Sequence, residues 1–402
     1  MATAPEARRA ALVLRLYHGG LGVVRSLGRL GVRVYGVHGS TDAPAARSRY
    51  CRGVWTWDLD GAAAQDSIEF LRGLGRKLDR PVLYTMDDPT AMLVADHADE
   101  LSEAFLFPAQ AAGLAQALSS KKEMVELCRR HGVATAATSF PSSREDVVAF
   151  ADQTQFPVVV KGIDSARLER TAGIRTLIVG SREELIRRYD ELETPDEPNL
   201  MLQEYIPGRP EDVWMFNGYF DSESRCLFGL TGRKLRQYPA YTGITSLGTL
   251  APNADVERTT KEFMAALGYR GILDIGYRFD ARDGEYKLLD VNPRIGTTFR
   301  LFVDGAGMDV ARAMYLDLTG QPVQAGSAPN GRRWLLEDYD LVSSIRYMRD
   351  RRLDLPRWLR SFQGVEELAW YARDDLAPFR AAMLSWLREP RRRRAAAKRR
   401  AG

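Results

Sequence analysis

Asp290 and Asn292 stand two residues apart in the run KLLDVNP, and each side chain ends in a hard oxygen donor. The alternation of a β-strand puts this pair on one face and Leu289 and Val291 on the other, and Pro293 ends the strand. Upstream, GILDIGYRFDARDGEYK supplies the other arm of a hairpin. A loop of Arg282, Asp283 and Gly284, with Gly284 left-handed, pairs Ala281 with Glu285. That register sets Gly276 opposite Asp290 and Asp274 opposite Asn292. Two carboxylates and an amide oxygen brought together suit Mg²⁺, with Mn²⁺ as an alternative, because such a cation keeps water and phosphate oxygens in its remaining positions. The blander reading is a polar strand face turned to solvent. Arg294 and the glycine-flanked IGTTFR directly beyond argue against it.

The elements that must position this hairpin can be read outward from it. LVLRLY, then GVVRSLGRLG, then VRVYGV form a βαβ opening, with Gly31 placed as the helix C-cap. PVLYTM followed by DDPTAMLVADHADEL repeats the pattern, so residues 1–115 read as a small doubly wound α/β domain. The glycines of HGGLGVVRSLG do not complete a dinucleotide fingerprint, since the third position counted from Gly20 is Arg25. In TMDDPT, Asp87 and Asp88 follow a strand and suit either an amine grip or helix capping. A second unit opens at Ser120, where SKKE forms a capping box and Met124, Leu127, Cys128 and His131 share one helix face, which makes His131 core-facing. FPVVVKG then reads as a strand, followed by a polar loop with Ser165 and Thr171. Strand RTLIV, helix SREELIRRYDEL and strand LMLQEYIPG come next. Beyond Val213 the strands are separated by turn-length gaps and read as antiparallel. This gives an α+β domain over 116–325, the linker QPVQAGSAPNG, and a C-terminal helical appendage over 326–402.

Composition excludes several classes. The chain has 402 residues, 45% hydrophobic and 27% charged, which suits two or three soluble domains rather than a disordered or fibrous chain. No apolar run reaches the length of a membrane span and no secretory leader is evident, so the expected location is cytoplasmic. Cys51, Cys128 and Cys226 lie far apart, and neither a disulfide framework nor a zinc site is expected. The tail from 388 to 402 holds eight Lys or Arg and one Glu, a local +7 in a chain of formal charge +4, so the rest carries −3. The body therefore offers no field for nucleic acid; the tail reads as a solvated arm with weak affinity for anionic lipid or RNA as the alternative, and with the apolar-faced LAPFRAAMLSWL just before it is the candidate for weak peripheral membrane contact.

LLDVNPRIG, taken with VVVKG around Lys161 and LQEYIPGRPE at 202–211, resembles the ATP-grasp superfamily, and within it the carboxylate-amine ligases of the D-aspartate ligase type. GLGVVRSLGRLGVRVYGV resembles the N-terminal domain of that group. The order and spacing of these segments, over residues 10–320, carry the likeness more than any one of them. The resemblance implies an ATP-grasp fold behind an N-terminal pre-ATP-grasp domain. It also implies ATP and Mg²⁺ as cofactors, small carboxylate and amine substrates, and the homodimers common in that group.

Carried over by position, the resemblance gives Lys122 and Lys161 to the nucleotide phosphates as point charges. Gln203, Glu204, Tyr205 and Ile206 would bracket adenine, and Glu211 would accept from the ribose hydroxyls. Asp274, Asp290 and Asn292 would hold the metal. Lys234 and Arg236, in GRKLRQYPAYTGITSLGTL, would neutralise the transferring phosphoryl, and Arg294 would hold phosphoryl or substrate carboxylate through its fork. One departure stands out: members usually carry a carboxylate before the aromatic of the first metal strand, and here Gly276 precedes Tyr277. Asp274, two residues earlier, is the substitute. The activity implied is ATP-dependent joining of a carboxylate to an amine through an acyl phosphate. A noncatalytic nucleotide-binding module and phosphotransfer to a non-carboxylate acceptor remain the alternatives.

Overall fold

The computed structural model describes residues 8–386 other than Arg175 and Pro195, so the basic tail lies outside the described residues. By its contacts the chain forms two units. One comprises residues 1–115, 214–274 and 292–402, the other 116–213 and 275–291.

In the first unit, strands β1 (Ala11–Leu14), β2 (Val34–His38), β3 (Cys51–Thr56) and β4 (Val82–Thr85) form a parallel sheet in the order β3-β2-β1-β4. All four residues of β1 are buried, as a parallel strand covered on both faces requires. Helix α1 (His18–Gly28) follows β1, and Gly31, at φ +80°, turns the chain back toward β2 as the sequence indicates. Helix α2 (Ala64–Lys77) precedes β4, and α3 (Asp88–Asp96) follows it.

The second unit contains β5 (Thr138–Ser139), β6 (Val158–Gly162), β7 (Thr176–Val179) and β8 (Leu200–Glu204), in the antiparallel order β5-β8-β6-β7. Val147, Val158, Val160, Leu185, Leu200 and Leu202 form its core. The stretch holding Ser165 and Thr171 is helical, Ser165–Ala172, not the polar loop expected. His131 is exposed rather than core-facing, because the helix Lys121–Arg130 stops one residue short of it.

The remaining strands are β9 (Val213–Phe220), β10 (Cys226–Tyr238), β11 (Ile244–Leu250), β12 (Gly271–Asp280), β13 (Glu285–Asn292), β14 (Arg333–Leu335) and β15 (Val365–Leu368). They make one sheet in the order β13-β12-β9-β10-β11-β14-β15, with β9, β10 and β11 antiparallel as expected. The segment beyond Arg332 is thus not only helical: β14 and β15 extend this sheet alongside their helices. It is also fastened to α1 by buried charge. Arg25 donates to Asp375 at 2.9 Å and to the carbonyls of Ala369 and Trp370, which explains why arginine stands where a dinucleotide fingerprint would need glycine. Cys51, Cys128 and Cys226 are free thiols. Among the described residues no helix is long and apolar enough to cross a membrane.

Candidate active site

β12 and β13 form the expected hairpin. The turn closes with Gly284 N–H donating to Asp280 O at 2.8 Å, and Gly284 takes φ +79°, a value glycine adopts without a Cβ penalty. The strands stop at Asp280 and restart at Glu285, so Ala281 lies outside the strand in which the sequence places it.

The oxygen donors sit over glycines. A Cβ on Gly276 would stand 2.5 Å from Asp290 Oδ1, which places the Asp290 carboxylate against the backbone of β12 at the level the register predicts. Gly296 leaves space of the same kind for the Asp274 carboxylate. In the first unit Asn292 Nδ2 lies 3.5 Å from Asp274 Oδ2, and Arg294 donates to Asn292 Oδ1 at 3.2 Å. Arg294 also pairs with Asp88 through Nε at 2.6 Å. Asp274 and Asn292 thus bring a carboxylate and an amide together in the first unit, oxygen donors of the kind that suit a hard cation, while the Asp290 carboxylate belongs to the second unit. Among the described residues no group of three or more His, Cys, Asp or Glu side chains is arranged to hold a metal ion.

In the second unit, Lys161 at the end of β6 donates to Gln203 Oε1 on β8 at 3.0 Å, and Gln203 in turn donates to Thr138 Oγ1. Burial pushes the Lys161 pKa down, while the Asp290 carboxylate pulls it back up, so the two residues lie within electrostatic reach. Lys121, not Lys122, joins this lysine. Its ammonium donates to Gly162 O at 2.5 Å and Ile163 O at 3.2 Å, and burial with the neighbouring Lys161 charge lowers its pKa to about 8. Lys122 is exposed. The signal was present in the sequence: Lys121 shares the helix face of the buried Met124, Val125 and Cys128, whereas Lys122 falls with the exposed Glu126 and Arg129.

The Glu204 carboxylate is engaged. It pairs with Arg282 at 2.5 Å and Lys287 at 3.6 Å and accepts from Ala137 N at 3.2 Å, in a cluster with Asp280. The hydrogen bond from Arg282 holds Asp280 far below the usual carboxylate range. Neither Arg282 nor Lys287 was singled out in sequence. Tyr205 and the buried Ile206 follow β8 outside its ladder, and Glu211 is half-buried in the turn Pro210–Asp212.

Arg236 requires a correction. Its guanidinium makes two 2.7 Å bonds to Asp340 and a third to Ser361 Oγ, and Arg236 and Asp340 are both buried. Those bonds occupy the fork that a phosphoryl group would need, because β10 turns this side chain into the segment beyond Arg332. Lys234 donates to Gly243 O at 3.1 Å within the adjoining glycine-containing turn, and Arg233 stacks over Trp214.

These elements make up the ATP-grasp fold: a four-stranded parallel sheet with its helices, a four-stranded antiparallel lobe with Lys161 on β6, and a large sheet ending in a carboxylate-bearing hairpin. The comparisons with solved structures agree. N5-carboxyaminoimidazole synthetase from Staphylococcus aureus superposes with a TM-score of 0.60 at 12% identity, covering 83% of both chains. L-amino acid ligase from Bacillus licheniformis gives 0.58 at 13% identity over 80% of this chain and 76% of that one. The biotin carboxylase domain dimer of Hydrogenobacter thermophilus 2-oxoglutarate carboxylase, in complex with MgADP, ADP and bicarbonate, gives 0.60 at 14% identity over 82% and 74%. In sequence the chain is 27% identical to D-aspartate ligase of Enterococcus faecium (strain Aus0004) over 248 residues, 59% of this chain. The match spans 58% of that curated relative's length. No family model matches the chain.

Proposed function

We propose that the protein is an ATP-dependent ligase that joins a small carboxylate to an amine through an acyl phosphate, releasing ADP and phosphate. The observation that carries this reading is the placement of Lys161 within electrostatic reach of Asp290, with Gly276 leaving room for that carboxylate. A cation for phosphate and an oxygen donor for metal are the two elements phosphoryl transfer needs from a protein. The similarity to D-aspartate ligase makes an amino acid such as D-aspartate the first substrate to test.

A carboxylate repels nucleophiles and offers no usable leaving group. Attack of its oxygen on the γ-phosphoryl of ATP forms the acyl phosphate and releases ADP. The amine then adds to the acyl carbon and phosphate departs, the ammonium proton being lost to solvent. Lys161 and Lys121 would bind phosphate oxygens, and the strand end from Gln203 to Ile206 would receive adenine with Glu211 at the ribose. Asp274, Asp290 and Asn292 would hold Mg²⁺, with Mn²⁺ able to substitute. The metal supplies neutralisation of phosphate charge during in-line transfer. Lys234 would serve as a cation for phosphoryl or carboxylate, and Arg294 would join it only by exchanging its bonds to Asp88, Asn292 Oδ1 and the Ile295 carbonyl. We further propose that residues 116–325 act as the nucleotide-binding domain, that the enzyme works in the cytoplasm, and that it forms a homodimer, as the Hydrogenobacter domain does.

The test is ADP release across pairs of substrates. The ligase requires a carboxylate and an amine together. Turnover with neither, or ATP uptake without turnover under any pair, would favour a regulatory nucleotide-binding module instead. A stable phosphorylated product without an amide would mark a phosphotransferase.

A further inference from the structure

The helix Glu337–Arg349, in the segment beyond Arg332, is built inside out. Its inner face is polar. Asp340, Ser343 and Ser344 are buried there, Asp340 accepting from Arg236 and from Ser246 Oγ, and Ser343 donating to the Gln237 carbonyl. Its outer face is aliphatic: Leu341, Val342 and Ile345, which share one side of the helix, are 44%, 41% and 48% exposed. A surface helix ordinarily turns such a stripe to the core and its polar residues to water. Turning this one over would bury the stripe only by leaving the buried Arg236 guanidinium without its carboxylate. Arg236 also holds Ser361, at the end of the short helix Leu355–Arg360, whose Leu355 and Leu359 are 58% and 57% exposed.

Charge distinguishes among the occupants such a face could have. Residues 341–360 hold six arginines and two aspartates, a local +4. Arg346 pairs with Asp350 and Arg357 with Asp354, which leaves Arg349, Arg351, Arg352 and Arg360 without an ion pair among the described residues. All four are exposed, and Arg349 lies one turn beyond Ile345 on the same side of the helix. A second copy of the chain meeting this face about a two-fold axis would set these charges against their own images. A protein hot spot is built from aromatic anchors seated in pockets, whereas the outer face of Glu337–Arg349 is a convex aliphatic ridge. An anionic bilayer requires neither anchor nor pocket. Aliphatic side chains enter the headgroup boundary, and arginine stems lie along it with their guanidiniums on the phosphates. The same segment ends in a second apolar and basic pairing: exposed Leu384 and Trp386 lead into residues 388–402, with their local +7.

We propose that this face docks the protein on an anionic lipid bilayer, with Leu341, Val342 and Ile345 in the headgroup boundary and Arg349, Arg351 and Arg352 on lipid phosphates. No described helix is long and apolar enough to cross a membrane, so the contact is interfacial. Docking of this kind is independent of the ligase chemistry.

The test is co-sedimentation of the full chain, at low salt, with vesicles of phosphatidylcholine and with vesicles of phosphatidylcholine and phosphatidylglycerol mixed two to one. The expected result is partition onto the mixed vesicles alone. It should fall about tenfold or more in L341S/V342S/I345S, which removes the inserted side chains. R349Q/R351Q/R352Q should lose about as much, through the lost attraction to lipid phosphate. All six residues are exposed, so both variants should fold, and circular dichroism checks that they do. Each variant keeps the basic tail, so binding carried by the tail alone would show as unchanged partition. That result, or equal partition onto the neutral vesicles, would overturn the proposal. No partition by the wild-type chain would overturn it in favour of an acidic protein. Wild-type self-association abolished by L341S/V342S/I345S would overturn it in favour of a second copy.

Discussion

Gly276 and Asp290 face each other across the β12–β13 hairpin so closely that a methyl group on Gly276 would meet Asp290 Oδ1 at 2.5 Å. At the position where the group the chain resembles carries a carboxylate, glycine leaves the space that the Asp290 carboxylate of the facing strand occupies.

G276A should push the Asp290 carboxylate off its seat without unfolding the hairpin, because the contacted atom is the far end of a rotatable side chain. The expected cost is about 10- to 100-fold in Mg²⁺-dependent nucleotide affinity, the range for disturbing the support of a metal ligand. Isothermal titration of ATP at several Mg²⁺ concentrations measures it. Unchanged affinity would place the metal elsewhere.

Arg236 and Asp340 form a buried bidentate pair, so R236M should destabilise the fold by about 3–5 kcal/mol by leaving Asp340 buried and unpaired. R236M/D340L should recover most of that loss, since replacing both partners removes the stranded charge. Denaturant melts of the two variants provide the comparison. A double variant that melts normally yet has no activity would return Arg236 to the catalytic group.

Lys121 gives a pH dependence. Its folded pKa of about 8 lies below that of an unfolded lysine, so between those values the unfolded chain holds more protons and stability rises with pH. Phosphate affinity should move the opposite way. The unliganded ammonium is charged below about 8 and loses its proton above it, so ATP binding should weaken as pH rises through that value. K121R should flatten the binding profile, because arginine stays protonated across the range. A wild-type profile that is flat from pH 7 to 9 would remove Lys121 from the phosphate site.

Much of the fold was legible because its signals are local. Gly31 and Gly284 sit where the chain needs left-handed turns, and the alternation around Asp290 and Asn292 fixes a register that the Gly276 contact reproduces. What escaped the sequence depends on long-range partners. Arg236 reads as a surface cation until Asp340, more than a hundred residues away, is placed beside it. Arg25 similarly looks like a defective fingerprint until Asp375 is known to receive it. Lys121 was recoverable from helix periodicity alone, and was missed because its neighbour has the same chemistry. His131 shows the opposite error, a periodicity extended one residue past the helix end.

The central claim is that Asp290 takes part in activating a carboxylate with ATP. Hydroxylamine intercepts acyl phosphates as hydroxamates without needing the natural amine, so trapping across a panel of amino acids, D-aspartate included, reads that step directly. The account predicts a hydroxamate that depends on ATP, Mg²⁺ and one carboxylate, and its loss in D290N while circular dichroism stays unchanged. Hydroxamate formation at the wild-type rate in D290N, or none from the wild-type chain with any carboxylate, would contradict it.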